Sequence, residues 1–265
     1  MKRLWLSILL FLPVLLQAQI NSGPRFTALG NTGVSLQDVW SLQSNQAGLA
    51  ALSYAVIAGA YERKYLNEDL STQSAVIAVP FNTNVFGLSF QNYGFSVYNE
   101  QRMGFTYARK FGKTIFAALD FNYHQVKIQQ YGSAKSFSVE GGLQYKPYEK
   151  LCIGTHISNP NNSGFTTEVD AVIPVTIEFG ASYQFTDKIL LSSALAKTLK
   201  TTSDFKIGLE YIPVSWIALR GGFSANPVRE YAGVGFEYEK FHFDFASSSH
   251  PVLGFSPQVA FSYEF

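Results

Sequence analysis

The stretch VTIEFGASYQF, Val175 to Phe185, alternates without a break. Val175, Ile177, Phe179, Ala181, Tyr183 and Phe185 are apolar or aromatic, and Thr176, Glu178, Gly180, Ser182 and Gln184 between them are polar or small. Side chains on a strand point alternately to opposite faces, so this spacing makes an extended segment with one apolar and one polar face. A helix would scatter the same residues around its circumference.

The pattern continues in both directions. In Phe116 to His124, Ala117, Leu119, Phe121 and Tyr123 oppose Ala118, Asp120, Asn122 and His124. In residues 137 to 146, Phe137, Val139, Leu143 and Tyr145 oppose Ser138, Glu140, Gln144 and Lys146. Alternation predicts strands near 53–64, 71–80, 84–92, 100–110, 113–127, 135–146, 150–158, 172–185, 188–197, 203–212, 215–223, 229–238, 241–248 and 254–265. The connections fall into two sets. One is tight, as at Pro80 to Asn84, Lys110 to Lys113 and Glu239 to Lys240, and the other is longer and rich in Asn, Ser, Gly and Pro, as in SNPNNSGFTTEVD and ASSSHPVLG. About fourteen antiparallel strands with short turns at one rim and long loops at the other define an all-β transmembrane barrel.

Composition agrees. Charged residues make up 15% of the chain and aromatics another 15%, with 23 Phe and 15 Tyr, against about 25% charged in ordinary soluble domains. A net charge of +1 gives no electrostatic footprint for nucleic acid. The first residues read as a secretory signal over 1–18: Lys2 and Arg3, an apolar run from Leu4 to Leu16, then Gln17-Ala18-Gln19. That run is too short for the roughly 20 residues of a membrane-spanning helix. Cys152 is the single cysteine, so no internal disulfide is available.

The last residues repeat the alternation, with Val259, Phe261, Tyr263 and Phe265 on one face. Closing a barrel requires the last strand to pair with the first, and a terminal aromatic after alternating apolar residues resembles the signal read by the barrel-assembly machinery. Phe261, Tyr263 and Phe265 are therefore the expected assembly signal. The soluble alternative, a β-sandwich, favours neither the two-rim loop pattern nor this ending. Gly-x-x-Tyr also recurs at Gly104/Tyr107, Gly142/Tyr145, Gly180/Tyr183, Gly208/Tyr211 and Gly235/Tyr238. On a strand this puts Gly inward and Tyr outward near the short-turn rim, where aromatic girdles sit.

If the apolar face meets outer-membrane lipid, the polar face lines the lumen. The candidate lumen residues are Arg102, Asp120, His124, Glu140, Glu178, Lys206, Glu210, Arg220, Glu237, His242 and Asp244. Charges of both signs suit mutual pairing as well as a polar permeation route. No catalytic residue, metal ligand set or cofactor motif emerges: the four His are scattered, and no Gly-x-Ser-x-Gly elbow or phosphate loop is present.

Gly23 to Leu52 departs from the strand pattern and precedes the first strand. It contains Ala28, Gly30, Asn31, Val34, Leu36, Asp38, Trp40, Asn45, Ala47, Gly48, Leu49 and Ala50. This spacing resembles the N-terminal motif of the PorV/PorQ-like family, within the wider FadL-like outer-membrane superfamily, with Gln46 in place of the usual Pro. The resemblance implies an N-terminal plug over 19–52, with Gly30, Asn31, Asp38, Trp40, Asn45 and Gly48 as its motif residues, ahead of a barrel over 53–265 in the outer membrane of a Gram-negative bacterium. It also implies a non-enzymatic role in type IX secretion or surface protein handling, with secretion-system proteins or exported cargo as partners. The alternative it implies is FadL-like transport of small hydrophobic ligands.

Overall fold

The computed structural model describes residues 23–165, 173–199 and 201–265; the expected signal segment over 1–18 lies outside them. Fourteen strands close into an antiparallel barrel in which each pairs with its sequence neighbours and the last returns to the first. They are β1 Val56–Arg63, β2 Ser71–Phe81, β3 Asn84–Gly94, β4 Tyr98–Phe111, β5 Ile115–Ile128, β6 Gly132–Tyr148, β7 Leu151–Ser158, β8 Thr176–Thr186, β9 Ile189–Thr198, β10 Asp204–Val214, β11 Ile217–Ala225, β12 Val228–Tyr238, β13 Phe241–His250 and β14 Gly254–Glu264.

The faces sort as alternation requires. On β5 Leu119 and Phe121 are each 52% exposed on the outer wall, whereas Asp120 between them is fully buried. An apolar exterior with polar groups turned inward is the arrangement a bilayer demands, because lipid offers no partner for a hydrogen-bonding group. The five glycines of Gly-x-x-Tyr all face inward. A methyl group at Gly142 would overlap Asn45, one at Gly180 would overlap Val34, and one at Gly208 would overlap the Leu29 carbonyl.

The tight turns fall close to where the sequence places them, but most long connections are shorter than expected. The run SANPVR becomes a two-residue turn at Asn226-Pro227, with a cis peptide bond, and ASSSHPVLG shrinks to residues 251–253. Strand pairing continues through these polar residues because the backbone ladder forms regardless of side-chain polarity once the chain has left the apolar belt. The β1–β2 connection over 64–70 keeps the expected length, and so does the connection after β7, described at 159–165 and 173–175. The pairing of β7 with β6 stops at Glu140 opposite Ser158. Above that level, the described residues that meet β6 on that side belong to the connection, with the Asn159 N–H donating to the Val139 carbonyl (3.0 Å) and the Ser136 hydroxyl to the Gly164 carbonyl (2.9 Å).

Barrel closure runs through β1 and β14, from Val56 opposite Glu264 to Glu62 opposite Gln258. The Phe265 N–H adds one bond to the Ala55 carbonyl (2.9 Å), and its ring meets Tyr263 edge-on at 5.0 Å. Phe241 stacks on Phe261 and tilts against Tyr263, so the expected assembly residues form one aromatic patch beside the seam. A charge on the lipid face near an interface costs only about 0–1 kcal/mol. A Phe265→Asp substitution is therefore expected to leave the stability of an assembled barrel nearly unchanged while sharply lowering the amount of folded, heat-modifiable protein in the outer membrane. Wild-type levels of folded barrel would remove the assembly role.

Candidate functional site

Residues 23–52 occupy the half of the barrel nearest the short turns. Their course follows from local chemistry. Pro24 starts α1 (Pro24–Ala28) at a position where its missing N–H costs nothing. Gly30 then takes φ +69° and passes so close to β10 and β11 that a methyl group would press on the carbonyls of Ile207 and Phe223. Asn31 follows at φ +58°, a conformation Asn tolerates better than most residues. Asp38 caps the turn Val39–Gln43 by accepting from the Trp40 N–H at 2.7 Å, and burial lifts its carboxyl above the ordinary value against the pull of Arg25.

Asn45 ties three parts of the molecule together. Its side-chain oxygen accepts from the Ala47 N–H (3.2 Å), and its amide nitrogen donates to the carbonyls of Val34 (2.7 Å), Leu143 (3.3 Å) and Thr155 (3.2 Å). Trp40 is buried against Gly23, and Gly48 is held against Ser41 and the Leu36 carbonyl. Asp38, Trp40, Asn45 and Gly48 thus shape the segment, while Asn31 lines the cavity above it. Gln46, where the resembling motif has Pro, donates its amide to Glu140 at 2.8 Å, a bond Pro cannot make.

Two buried ionic clusters join this segment to the wall. Near the short turns, Glu210 accepts from Arg25 through Nε (3.1 Å) and Nη2 (2.9 Å) and from Arg220 Nε (2.6 Å). Arg25 also reaches Asp38 (2.8 Å), and Arg220 reaches Asp244. Across the lumen, Arg102 donates to Glu140 (2.6 Å) and Asn122 (2.8 Å), Thr106 and Asn122 donate to Asp120, and His156 lies 3.3 Å from Glu140. Buried charges are tolerable where partners satisfy them in this way.

Above the segment, toward the long-loop rim, lies a vestibule of about 400 Å³. Arg102, His124, Glu140, Glu178 and Lys206 line it, and Glu178 accepts from Lys206 at 2.8 Å. Tyr93, Val126, Phe165, Ile173 and Pro174 supply apolar surface. The candidate lumen residues therefore divide by depth: Glu210 binds the segment with Arg220 and Asp244 behind it, Asp120 supports Arg102, and the others named here face the vestibule. Glu237 and His242 belong to neither group. They sit at the short-turn rim, 4.0 Å apart, with His242 also 3.0 Å from Glu264 and the Glu237 side chain 57% exposed. Alternation places them on the inner face but carries no information about depth.

The sequence reading missed Lys64 and Arg229, which also line the vestibule. Lys64 lies one step beyond β1, in phase with the inward-facing Val56, Ala58 and Glu62, so its side chain enters the lumen. Alternation carried through the end of β1 points to it. Arg229 does fall on the inner face of β12, in step with Tyr231, and alternation was the signal that pointed to it.

These features define a class: a fourteen-stranded transmembrane barrel whose lower lumen is filled by its own N-terminal segment, leaving an upper vestibule of mixed polarity. No protein-family model and no curated protein sequence matches the chain. Its fold is similar to that of CymD, a monoaromatic hydrocarbon channel, with 11% identity over 94% of this chain and 99% of that one and a TM-score of 0.70. It is similar to the Pseudomonas putida toluene transporter TodX (12% identity, 91% and 97% of the two chains, TM-score 0.69) and to a Pseudomonas aeruginosa FadL homologue (12%, 89% and 96%, TM-score 0.60). At these identities the likeness is one of fold. It lies on the FadL-like side of the resemblance and lends nothing to the PorV/PorQ side.

Proposed function

We propose that this protein is a non-enzymatic outer-membrane channel of FadL-like construction that takes small, largely apolar molecules into its upper vestibule, with residues 23–52 as the plug beneath. The observation that carries this reading is the vestibule itself, a space of about 400 Å³ floored by the N-terminal segment. Its volume lies within the range of small-molecule sites, and its aromatic and aliphatic surface beside a few polar groups is the usual makeup of such sites. The likeness to monoaromatic hydrocarbon channels points to the same solute class. Fold alone does not carry function, so the vestibule and not the likeness is what the test must address.

Radiolabelled toluene is expected to accumulate several-fold faster in cells with an intact lipopolysaccharide layer when they express this protein than when they carry an empty vector. Ser248→Trp, which fills the vestibule from β13, should abolish the gain. Equal rates with and without the protein would overturn the reading.

A further inference from the structure

The lipid-facing wall carries a hollow that the barrel itself does not require. Across β4 to β7 its large apolar residues part around a groove of about 510 Å³. Ala117, Gly141 and Thr155 in its lining are small, and Tyr107, Leu119 and Ile157 stand around them. Gly141 sits in register between Leu119 on β5 and Ile157 on β7. A methyl group there would meet only an Ile157 methyl at 3.7 Å, an ordinary contact, so neither packing nor left-handed backbone demands glycine. Glycine weakens a strand, and within one it often marks the close approach of a ligand.

One end of the groove holds a charge. Arg109 lines it beside Phe111, and among the described strand residues of the short-turn half it is the one charged side chain on the lipid-facing side. Its guanidinium has no ion pair among the described residues and lies over the Phe111 ring, 5.3 Å from the centroid, which turns it toward the short-turn rim. Arginine is tolerated on such a wall near an interface because its stem lies along apolar surface while its head reaches the polar level. The β4 side of the groove is held in place: the Tyr107 hydroxyl donates to Asn84 at 2.8 Å and its ring packs against Phe86.

We propose that this groove is a binding site for a glycerophospholipid of the periplasmic leaflet, with one acyl chain lying across Ala117 and Gly141 and the phosphate on Arg109. Short turns face the periplasm in barrels of this kind, so the guanidinium lies toward the headgroups of that leaflet. Its planar fork can hold a phosphate through two parallel hydrogen bonds. The acyl chain supplies the contacts that an unfilled apolar groove forfeits. Lipopolysaccharide, in the other leaflet, would meet the wall from the long-loop side, and a free hydrocarbon offers nothing to Arg109. The site lies on the opposite side of the wall from the vestibule and does not depend on what the vestibule takes.

Native mass spectrometry of the full-length barrel, extracted from outer membranes in mild detergent, measures lipid retention directly. The wild type is expected to keep a single phospholipid. Gly141→Phe, which fills the groove, should lower the bound fraction at least about tenfold, and Arg109→Gln should lower it several-fold. Ala75→Phe, a similar enlargement on the outward face of β2, is the control and should retain the lipid. Heat-modifiability shows that each variant is folded, and if one of the two groove variants is not, the other carries the test. No retained phospholipid in the wild type, undiminished retention in the folded groove variants, or lipopolysaccharide or a hydrocarbon held in place of phospholipid would each overturn the site. Loss in Gly141→Phe with full retention in Arg109→Gln would overturn the phosphate contact.

Discussion

Glu210→Ala is expected to destabilise the protein by about 3 kcal/mol and to loosen the N-terminal segment from the wall. Glu210 is 4% exposed and accepts three hydrogen bonds from two guanidinium groups, one on the segment and one on β11. Removing a partner from a buried ionic cluster typically costs about 3–5 kcal/mol, since the charges left behind have lost both attraction and water. The lower end applies because Arg25 keeps Asp38 and Arg220 keeps Asp244. The carboxylate bridges two structural units, so the damage is directional. Trypsin cleavage after Arg25 should become fast in the variant and stay slow in the wild type, and the urea midpoint of the heat-modifiable band should fall. Glu237→Ala, at the exposed rim, is the control and should change neither. An unchanged midpoint and unchanged cleavage for Glu210→Ala would mean that this cluster does not hold the segment.

Much of the barrel was legible because a lipid-facing strand advertises itself. Leu119 and Phe121 alternate with Asp120 and Asn122 for a physical reason, bilayer on one side and a closed polar interior on the other, and the observed faces follow that alternation along the strands. The same logic fails past the apolar belt. At 224–229 a Ser-, Asn- and Pro-bearing run reads as a loop yet is strand up to a two-residue turn, since ladder hydrogen bonds are indifferent to side-chain polarity. The site was legible only by face. Glu140 and Glu237 are both inner-face acids in the sequence, and only three-dimensional depth makes one a buried partner of Arg102 and the other a rim residue. Lys64, in phase with the inner face of β1, was within reach of the same alternation, which says nothing of its depth. The N-terminal motif was legible as a unit, but Asn45, Asp38 and Gly48 spend their chemistry on shaping the segment, so matching them says little about what the barrel carries.

Deleting residues 23–50 should open the barrel. The segment fills its half of the lumen with Phe26, Leu29, Val34, Trp40, Leu42 and Leu49, all nearly or fully buried. The wall that receives it is lined by small inward-facing residues such as Gly87, Gly154, Gly208 and Gly233, which leave space the segment takes up. Barrels of 16–18 strands hold an aqueous channel when unplugged, whereas 8-stranded ones are filled by their own side chains. Fourteen strands with glycine-lined walls belong with the former once the segment is gone. The closed hydrogen-bond ladder does not run through the segment, so the deleted protein should still fold as a barrel, though a less stable one, with Ala58, Ala78 and Ala108 newly exposed to water. The decisive measurement is the ion conductance of the two proteins in planar bilayers, each first shown to be heat-modifiable. The account predicts little or no steady conductance for the full-length chain and long-lived openings, at least about tenfold larger, for the deletion. Equal conductance in the two would contradict it, and residues 23–52 would then not be what closes the lumen.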